Sequence, residues 1–267
     1  MIHPTAIIGS GAKIGANVQI GPHSIIGDAV SIGDESIIGA NVVIEGEVSV
    51  GRENRIAHGT VIGGEPQDLS FSPTTRSWIE IGAKNVIREH CTIHRGTAED
   101  SATKIGDENF LMAGAHLGHN CEIGSKVIIA NNCLLGGYVS VADGAFLGGG
   151  CVFHQFVRVG RLAIAQGGSA FSKDIPPFLI AAERNHVFGL NTVGLRRAEF
   201  SSRQREEIKR AFKLLYLSGL NTRQALEKSN ETEWTELGRE FFRFVSDAIK
   251  KRGICPLKRG GNNEASI

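Results

Sequence analysis

The opening stretch IHPTAIIGSGAKIGANVQIGPHSIIGDAVSIGDESIIG, residues 2–39, places a branched aliphatic residue at every sixth position. The series keeps its phase as far as residue 62, and its members are Ile2, Ile8, Ile14, Ile20, Ile26, Ile32, Ile38, Ile44, Val50, Ile56 and Ile62. A period of six fits neither an amphipathic helix nor a simple alternating strand. It is typical of a hexapeptide-repeat parallel β-helix, in which each unit is one strand and one turn. We therefore predict that fold.

Two stretches interrupt the repeat. Residues 64–78, GEPQDLSFSPTTRSW, contain two prolines and several polar residues, so we expect them to leave the coil as a loop. The phase resumes at Ile81. The polar stretch GTAEDSAT, residues 96–103, is predicted to bulge.

A long run of the repeat extends from Ile105 to Ala165, and Pro176 and Pro177 mark its end. No strand signal is strong after these prolines. We assign residues 1–177 to an all-β coil domain. Residues 178–267 are assigned to a connecting segment and a C-terminal α-helical domain, whose helices are expected to cover the end of the coil.

The pattern after the coil is helical. Ser201 and Gln204 form a capping-box pattern, and Gly219 is a stop signal for the first helix. A short helix is predicted for residues 222–229. A third is predicted from near residue 230 to Gly253, with its apolar side chains on one face. We expect the last dozen residues, which are polar, to fray.

Composition and charge narrow the class of protein. The 267 residues carry a formal net charge of +1, which gives no argument for a nucleic-acid or membrane partner. No stretch has the length of a membrane span, and no signal-peptide pattern is seen. The five cysteines lack metal-ligand or paired spacing, which favours a reducing cytosol. These observations together predict a cytoplasmic protein. No dinucleotide fingerprint or phosphate-cradling loop is present, so we predict no cofactor.

Stacking arithmetic brings titratable side chains together on one edge of the coil. Residues 18 apart lie in neighbouring coils, which are separated by about 4.8 Å. His119, Gly137 and Gln155 therefore form one column, and His154 belongs to the adjacent column. His116 precedes His119 by three residues.

His119 is the strongest candidate for chemistry. A histidine that titrates near neutral pH can take a proton from a hydroxyl or amine nucleophile. Gly137 is placed to offer an N–H to a developing oxyanion, and Asn120 to orient His119. Each residue could also have a purely structural role, His119 as a histidine in a turn and Gly137 and Asn120 as turn-forming residues. The alignment of the column favours the functional reading.

Two other functions use the same residues differently. His116, His119 and His154 would supply three imidazoles to a metal, as interface histidines do in β-helix carbonic anhydrases. The His-x-x-His spacing differs from the spacing in those enzymes, so this reading is less favoured. A β-helix that served only as a non-catalytic scaffold would not explain why His119, Gly137 and His154 lie on one edge of the coil.

Motifs spread over nearly the whole chain are IHPTAIIG at 2–9, PQDL at 66–69, TIHRGT at 92–97, LMAGAHLGHNC at 111–121, IIANNCLLGGYVSV at 128–141, VFHQFVRVG at 152–160 and GLNTVGLRR at 189–197. In combination they resemble the motifs of the UDP-N-acetylglucosamine 3-O-acyltransferase family, which opens lipid A biosynthesis. The resemblance implies a left-handed coil and a homotrimer with sites between subunits. It implies a (3R)-hydroxyacyl donor on acyl carrier protein and a UDP-sugar acceptor, with His119 as general base and Gly137 as oxyanion donor.

The resemblance also implies a set of substrate-binding residues. They are Gln67, Asp68, His116, Asn120, His154, Gln155, Gly167, Asn191 and Arg197. Among them, Asn191 and Arg197 match positions that touch the acceptor nucleotide. Gly167 matches the position that limits acyl length, and a glycine there leaves room for a long chain.

Four positions depart from the family pattern. Asn120 stands where an Asp is usual, Ser70 where a Lys is frequent, Tyr138 where a His is frequent and Val193 where an acidic residue is frequent. An Asn accepts a hydrogen bond but adds no charge. Because three of the changes fall on acceptor-side positions, an N-acyltransferase acting on the 3-amino analogue of the sugar nucleotide is an alternative.

Overall fold

The computed structural model describes residues 1–258, which form a left-handed parallel β-helix followed by four α-helices. The strands in chain order are β1 Ile7–Ile8, β2 Lys13–Ile14, β3 Gln19–Ile20, β4 Ile25–Ile26, β5 Val30–Ile32, β6 Ile37–Ile38, β7 Val43–Ile44, β8 Glu47–Val50, β9 Arg55–Ile56, β10 Val61–Gly64, β11 Ser77–Ile81, β12 Val86–Ile87, β13 Thr92–His94, β14 Ser101–Ile105, β15 Phe110–Leu111, β16 His116–Leu117, β17 Glu122–Ile123, β18 Ile128–Ile129, β19 Leu134–Leu135, β20 Ser140–Val141, β21 Phe146–Leu147, β22 Val152–Phe153, β23 Arg158–Val159, β24 Ile164–Ala165, β25 Ala170–Phe171, β26 Leu179–Ala182 and β27 His186–Leu190. The helices are α1 Thr192–Arg197, α2 Ser202–Tyr216, α3 Thr222–Ser229 and α4 Glu236–Ile249.

The strands form three parallel sheets, which are the three faces of the coil. Sheet 1 runs in the order β1-β4-β7-β10-β13-β16-β19-β22-β25, and sheet 2 in the order β2-β5-β8-β11-β14-β17-β20-β23. Sheet 3 contains β3-β6-β9-β12-β15-β18-β21-β24-β26-β27, and only its last pair is antiparallel. Successive strands thus visit the three sheets in turn, as the repeat predicts.

The predicted 18-residue stacking is confirmed by the strand register. Leu117 pairs with Leu135, and Leu135 pairs with Phe153. These side chains are buried in one continuous core that runs the length of the coil. Four cysteines, Cys91, Cys121, Cys133 and Cys151, are part of the same core, and burial raises the pKa of the Cys121 thiol to about 12. They pack as small apolar side chains.

Both interruptions are shorter than predicted. Strand β10 continues through Gly64, and β11 already begins at Ser77, so the loop comprises residues 65–76. Strand β14 begins at Ser101, which ends the second excursion. The reason is pairing: Ser77 lies beside Ser101 and Gly64 beside His94, which extends both ladders beyond the hexad positions.

The prediction that no strands follow Pro177 is wrong. Strands β26 and β27 form an antiparallel hairpin, and Ile180 pairs with Ile164 to continue sheet 3 by one more strand. Helix α1 was also not expected from the sequence. Its N-cap is Asn191, whose side chain accepts a hydrogen bond from the Gly194 N–H.

The two helices predicted for residues 201–219 and 222–229 are observed, with the Ser201–Gln204 capping box in place. The third begins at Glu236, later than predicted, because Thr235 is its N-cap. The buried Glu207 of α2 accepts hydrogen bonds from the N–H and hydroxyl of Thr235 and so fixes this start. Of the residues expected to fray, Leu257 pairs with Val187, and residues 259–267 lie outside the described part of the chain.

Two arginines of the coil bind helix α4. Arg158 donates to the buried Asp174 at 2.8 Å and to the Phe244 carbonyl at 3.0 Å. Arg161 makes two hydrogen bonds to Glu240, at 3.0 and 2.7 Å. The helices therefore close the C-terminal end of the coil. Over residues 1–258, no helix is both long and apolar enough to cross a membrane.

The outward side chains differ between the faces. Sheet 2 presents mostly polar ones, which are Lys13, Ser31, Glu47, Ser49, Glu80, Lys104, Glu122, Ser140 and Arg158, with Trp78 and Ala102 as apolar exceptions. Sheet 1 presents mostly apolar ones, which are Ile7, Ile25, Val43, Val61, Thr92, His116, Leu134, Val152 and Ala170. Several of these are more than two-fifths exposed, among them Ile7 at 63%. Apolar ladders of this length typically mark an interaction surface.

Candidate active site

His119 lies in the turn between β16 and β17, at the corner between sheets 1 and 2. It is 6% exposed and packs against the backbone of the next coil. A Cβ placed on Gly137 would lie 2.3 Å from Cε1 and from Nε2 of the imidazole, so any larger residue there would displace the imidazole. The N–H of Tyr138 donates to the His119 carbonyl at 2.8 Å, and that of Phe156 donates to the Gly137 carbonyl at 3.0 Å. The predicted stacking of His119 and Gly137 is therefore observed.

Asn120 holds the inner nitrogen of the imidazole. Its side-chain oxygen lies 3.1 Å from Nδ1 of His119. Asn120 is itself buried and adopts a left-handed backbone conformation with φ of 58°, which Asn tolerates well. Its Oδ1 also accepts a hydrogen bond from the N–H of Thr97 at 2.9 Å. The residue predicted to orient His119 is thus in contact with it.

The outer nitrogen of His119 and the Gly137 N–H are both available. Within residues 1–258, neither Nε2 of His119 nor the amide of Gly137 forms a hydrogen bond to another group of the chain. A proton acceptor and a backbone donor therefore lie side by side at this corner. General-base and oxyanion-binding groups need this proximity when a nucleophile attacks a carbonyl.

His116 lies on the outward side of β16, close to the same corner. Its Nδ1 is 2.8 Å from the Thr92 hydroxyl, and its ring meets the His94 ring edge-on at 5.2 Å between centroids. Burial, with a smaller contribution from His94, lowers the pKa of His116. The lowered pKa favours the neutral form of this side chain, which can form hydrogen bonds near the site.

The loop of residues 65–76 brings Gln67 and Asp68 to this side of the coil. Both are exposed. The backbone and hydroxyl of Ser70 donate to Asp68 and, together with the nearby His119, lower the pKa of its carboxyl. Arg95 anchors the loop through the carbonyls of Pro73 and Thr75.

His154 and Gln155 extend the columns by one more coil, and both are exposed. Arg252, which follows α4, donates to Nδ1 of His154 at 2.9 Å. Because an arginine only donates, this contact leaves the proton of a neutral His154 on Nε2. The C-terminal segment thus reaches the edge of the site.

Three predicted residues lie at other corners of the same chain. Gly167 follows β24, at the corner between sheets 3 and 1, and stacks on Gly149. Asn191 is buried and uses its side chain to cap α1 and to donate to the Leu162 carbonyl, at the corner between sheets 2 and 3. Arg197 is exposed in the last turn of α1. One chain alone does not bring these residues to His119.

The three histidines of the metal hypothesis have separate partners. His116 contacts Thr92, His119 contacts Asn120 and His154 contacts Arg252. In the part of the chain that the structure describes, no three His, Cys, Asp or Glu side chains are grouped as metal ligands.

Comparisons with known proteins identify the family. Residues 174–255 match the family described as Udp N-acetylglucosamine O-acyltransferase, domain 2, and residues 29–64 and 102–137 match the bacterial transferase hexapeptide repeat. The chain is 49% identical over 226 residues to the acyl-[acyl-carrier-protein]–UDP-N-acetylglucosamine O-acyltransferase of Paraburkholderia phymatum, covering 84% of this chain and 86% of that protein. This chain belongs to the acyl-[acyl-carrier-protein]–UDP-N-acetylglucosamine O-acyltransferase family.

Other members of this O-acyltransferase family match over nearly the full length. The relative from Janthinobacterium sp. strain Marseille is 41% identical over 261 residues, which is 95% of this chain and 98% of that one. The solved structure of the Francisella novicida UDP-N-acetylglucosamine acyltransferase superposes with a TM-score of 0.92 at 34% identity, covering 98% and 95% of the two chains. The predicted fold and the predicted acyltransferase class are confirmed.

Several residues that contact the candidate site were not predicted from the sequence. Thr97 and His94 lie on the second excursion and the strand before it, Arg95 anchors the loop, and Arg252 contacts His154. The TIHRGT motif contains three of them and was the available signal. Arg252 had none, because it approaches the site from the far end of the chain.

Proposed function

We propose that this chain transfers a (3R)-hydroxyacyl group from acyl carrier protein to the 3-position of UDP-N-acetylglucosamine, the first step of lipid A biosynthesis. The observation that carries the proposal is the pairing of an unblocked His119 Nε2 with the Gly137 N–H in a member of this family. A cytoplasmic location fits the five free, buried thiols.

The reaction follows from these two groups. Nε2 of His119 takes the proton of the sugar 3-hydroxyl as its oxygen attacks the thioester carbonyl. The Gly137 N–H stabilises the negative charge on the tetrahedral intermediate. Collapse of the intermediate forms the ester and breaks the carbon–sulfur bond, and the departing thiolate recovers the proton from His119.

The remaining predicted residues have separate places in this proposal. His116, His154, Gln155, Gln67 and Asp68 surround the reacting corner on the coil and on the loop of residues 65–76. Gly167 defines the floor for the acyl chain, since a glycine has no side chain to block it. Asn191 and Arg197 bind the nucleotide, although the side chain of Asn191 also caps α1.

Transfer to a 3-amino sugar nucleotide is the second candidate. The partner of His119 is the neutral Asn120, which stabilises an imidazolium less than a carboxylate does. An amine acceptor needs less assistance from a base than a hydroxyl does, because it is the stronger nucleophile. The neutral partner therefore favours this alternative.

An acyl-transfer assay separates the two candidates. The full-length protein is given UDP-N-acetylglucosamine or its 3-amino analogue, with 3-hydroxyacyl carrier proteins of increasing chain length. We expect ester from the hydroxyl acceptor. Product from the amine alone would make the enzyme an N-acyltransferase, and no product from either acceptor would contradict the proposed function.

We further propose that the protein works as a homotrimer with sites between subunits. The predicted site residues lie at three different corners of one chain, so a single site that uses all of them must combine copies. The apolar ladder of sheet 1 and the outward apolar side chains of sheet 3, which include Phe110, Ile128 and Phe146, supply the two surfaces for this contact. The tip of the loop of residues 65–76 adds Leu69, which is fully exposed in the single chain.

One coil provides a matched test of the assembly. Val152 on sheet 1, Phe146 on sheet 3 and Ser140 on sheet 2 are outward residues of consecutive strands. We expect Val152→Glu and Phe146→Glu to convert the trimer to the 28.6 kDa monomer in light scattering, because a charge must be buried at the contact. Ser140→Glu should remain trimeric. If each of the three single variants remained trimeric, the assignment of the contact faces would be wrong.

A further inference from the structure

The side-chain amide of Asn120 is held at both ends. Its Oδ1 faces the Thr97 N–H at 2.9 Å, the Thr97 hydroxyl at 3.1 Å and Nδ1 of His119 at 3.1 Å. Its Nδ2 donates to Oγ of Ser101 at 2.9 Å. The backbone N–H of Thr97 can only donate, so the Asn120 atom facing it must be the acceptor oxygen.

The other end of the amide is fixed independently. Oγ of Ser101 donates its proton to the Ala98 carbonyl at 2.7 Å, and a carbonyl only accepts. The lone pairs of Ser101 are therefore left to accept from Asn120. Both ends impose the same orientation, with Oδ1 toward His119. Since Oδ1 carries no proton, the hydrogen bond between the two side chains needs its proton on Nδ1 of His119.

We propose that Thr97 and Ser101 are positioning residues that lock the Asn120 amide and thereby select the Nδ1–H tautomer of His119. In this tautomer Nε2, next to Gly137, has the free lone pair that a general base requires. The selection uses only neutral donors and acceptors, whereas a carboxylate partner would add charge. This inference rests on the proposed role of His119 as the base.

Tyr138 completes the network. Its hydroxyl lies 3.1 Å from the Thr97 hydroxyl, which also lies 3.4 Å from Nδ1 of His119. When the Thr97 hydroxyl donates to Asn120, Tyr138 is the donor to Thr97. The Tyr138 ring meets the His119 ring edge-on at 5.2 Å between centroids. Tyr138 and Asp68, from the loop of residues 65–76, are the titratable groups that face His119 in the described part of the chain.

The tautomer is read directly by nitrogen NMR of the full-length protein with ¹⁵N-labelled histidine rings, and His119→Gln identifies the signals. We expect the wild type to carry its proton on Nδ1. Asn120→Gly removes the amide without backbone strain, because glycine readily adopts a φ of 58°. It should give a mixture of tautomers, as should the pair Thr97→Val with Ser101→Ala. A proton on Nε2 in the wild type, or an unchanged pattern in both variants, would overturn the proposal.

Kinetics give a second readout. Asn120→Gly should lower kcat about 10²-fold, the usual cost of a misplaced catalytic group. Asn120→Asp should keep the tautomer and move the acid limb of the kcat/KM profile about one unit to higher pH, because a carboxylate favours the imidazolium. Asn41→Asp, at an exposed turn with a similar φ of 55°, is the matched control and should leave the profile unchanged. An unshifted limb in Asn120→Asp would also overturn the proposal.

The outcomes distinguish this inference from the proposed function. If His119→Gln retained activity, the base assignment would fail, while the NMR pattern would still report on the network. If His119→Gln lost activity but Asn120→Gly kept the wild-type tautomer of His119, the assignment of His119 as the base would hold. The positioning role of Asn120 and its partners would then be wrong.

Discussion

Replacing His119 with Gln is expected to reduce the rate of acyl transfer by about 10²–10⁴-fold, the usual contribution of a general base. Gln keeps a polar side chain of similar size but cannot accept the proton of the acceptor at neutral pH. The measurement is the initial rate with UDP-N-acetylglucosamine and a 3-hydroxyacyl carrier protein. Because His119 packs against Gly137, circular dichroism and light scattering should accompany the assay.

His23→Gln is the control for this result. His23 is an exposed turn residue with φ of 58° in the first coils, and it lies well before the site in the sequence. It should retain the wild-type rate. Activity of a folded, trimeric His119→Gln variant within a few-fold of the wild type would show that another group removes the proton.

Gly137→Ala is expected to cost at least about 10²-fold in kcat, since small displacements of catalytic groups have effects of this size. The added methyl would lie 2.3 Å from Cε1 and Nε2 of His119, so the imidazole must move away from the Gly137 N–H. The base and the oxyanion donor would be separated by a single substitution. The measurement is kcat at saturating substrate, with KM determined for both substrates.

Gly27→Ala is the matched control for the glycine. A Cβ at Gly27 meets no atom closer than 3.4 Å, so an alanine fits in ordinary contact. This variant should fold and react normally. If Gly137→Ala also reacted normally, the tight packing of the imidazole against Gly137 would not matter to the reaction.

The periodic part of the molecule is readable from the sequence because each coil repeats the geometry of the one before it. The interior column of Leu117, Leu135 and Phe153 and the contact of His119 with Gly137 follow from a separation of 18 residues.

Prediction fails where the chain leaves the period. Thr92 pairs with His116 across 24 residues, because the second excursion inserts six residues into that coil. The path of those six residues places Thr97 on Asn120, and no repeat encodes it. The start of α4 depends similarly on Glu207, a residue of another helix. Tertiary contacts decide both features.

The two ends of the coil differ in how they are finished. At the C-terminal end, the β26–β27 hairpin and the arginine contacts to α4 extend the core into the helices. At the N-terminal end, the sheets stop at β1, β2 and β3, where the inward side chains of Ile8 and Ile14 are only partly buried. In a stack where each coil contacts only its neighbours, opening begins at the coils with the least buried core and proceeds from there. The corner that contains His119 and Gly137 lies several coils from the N-terminal end. Local unfolding of the first coils therefore leaves these two residues in place.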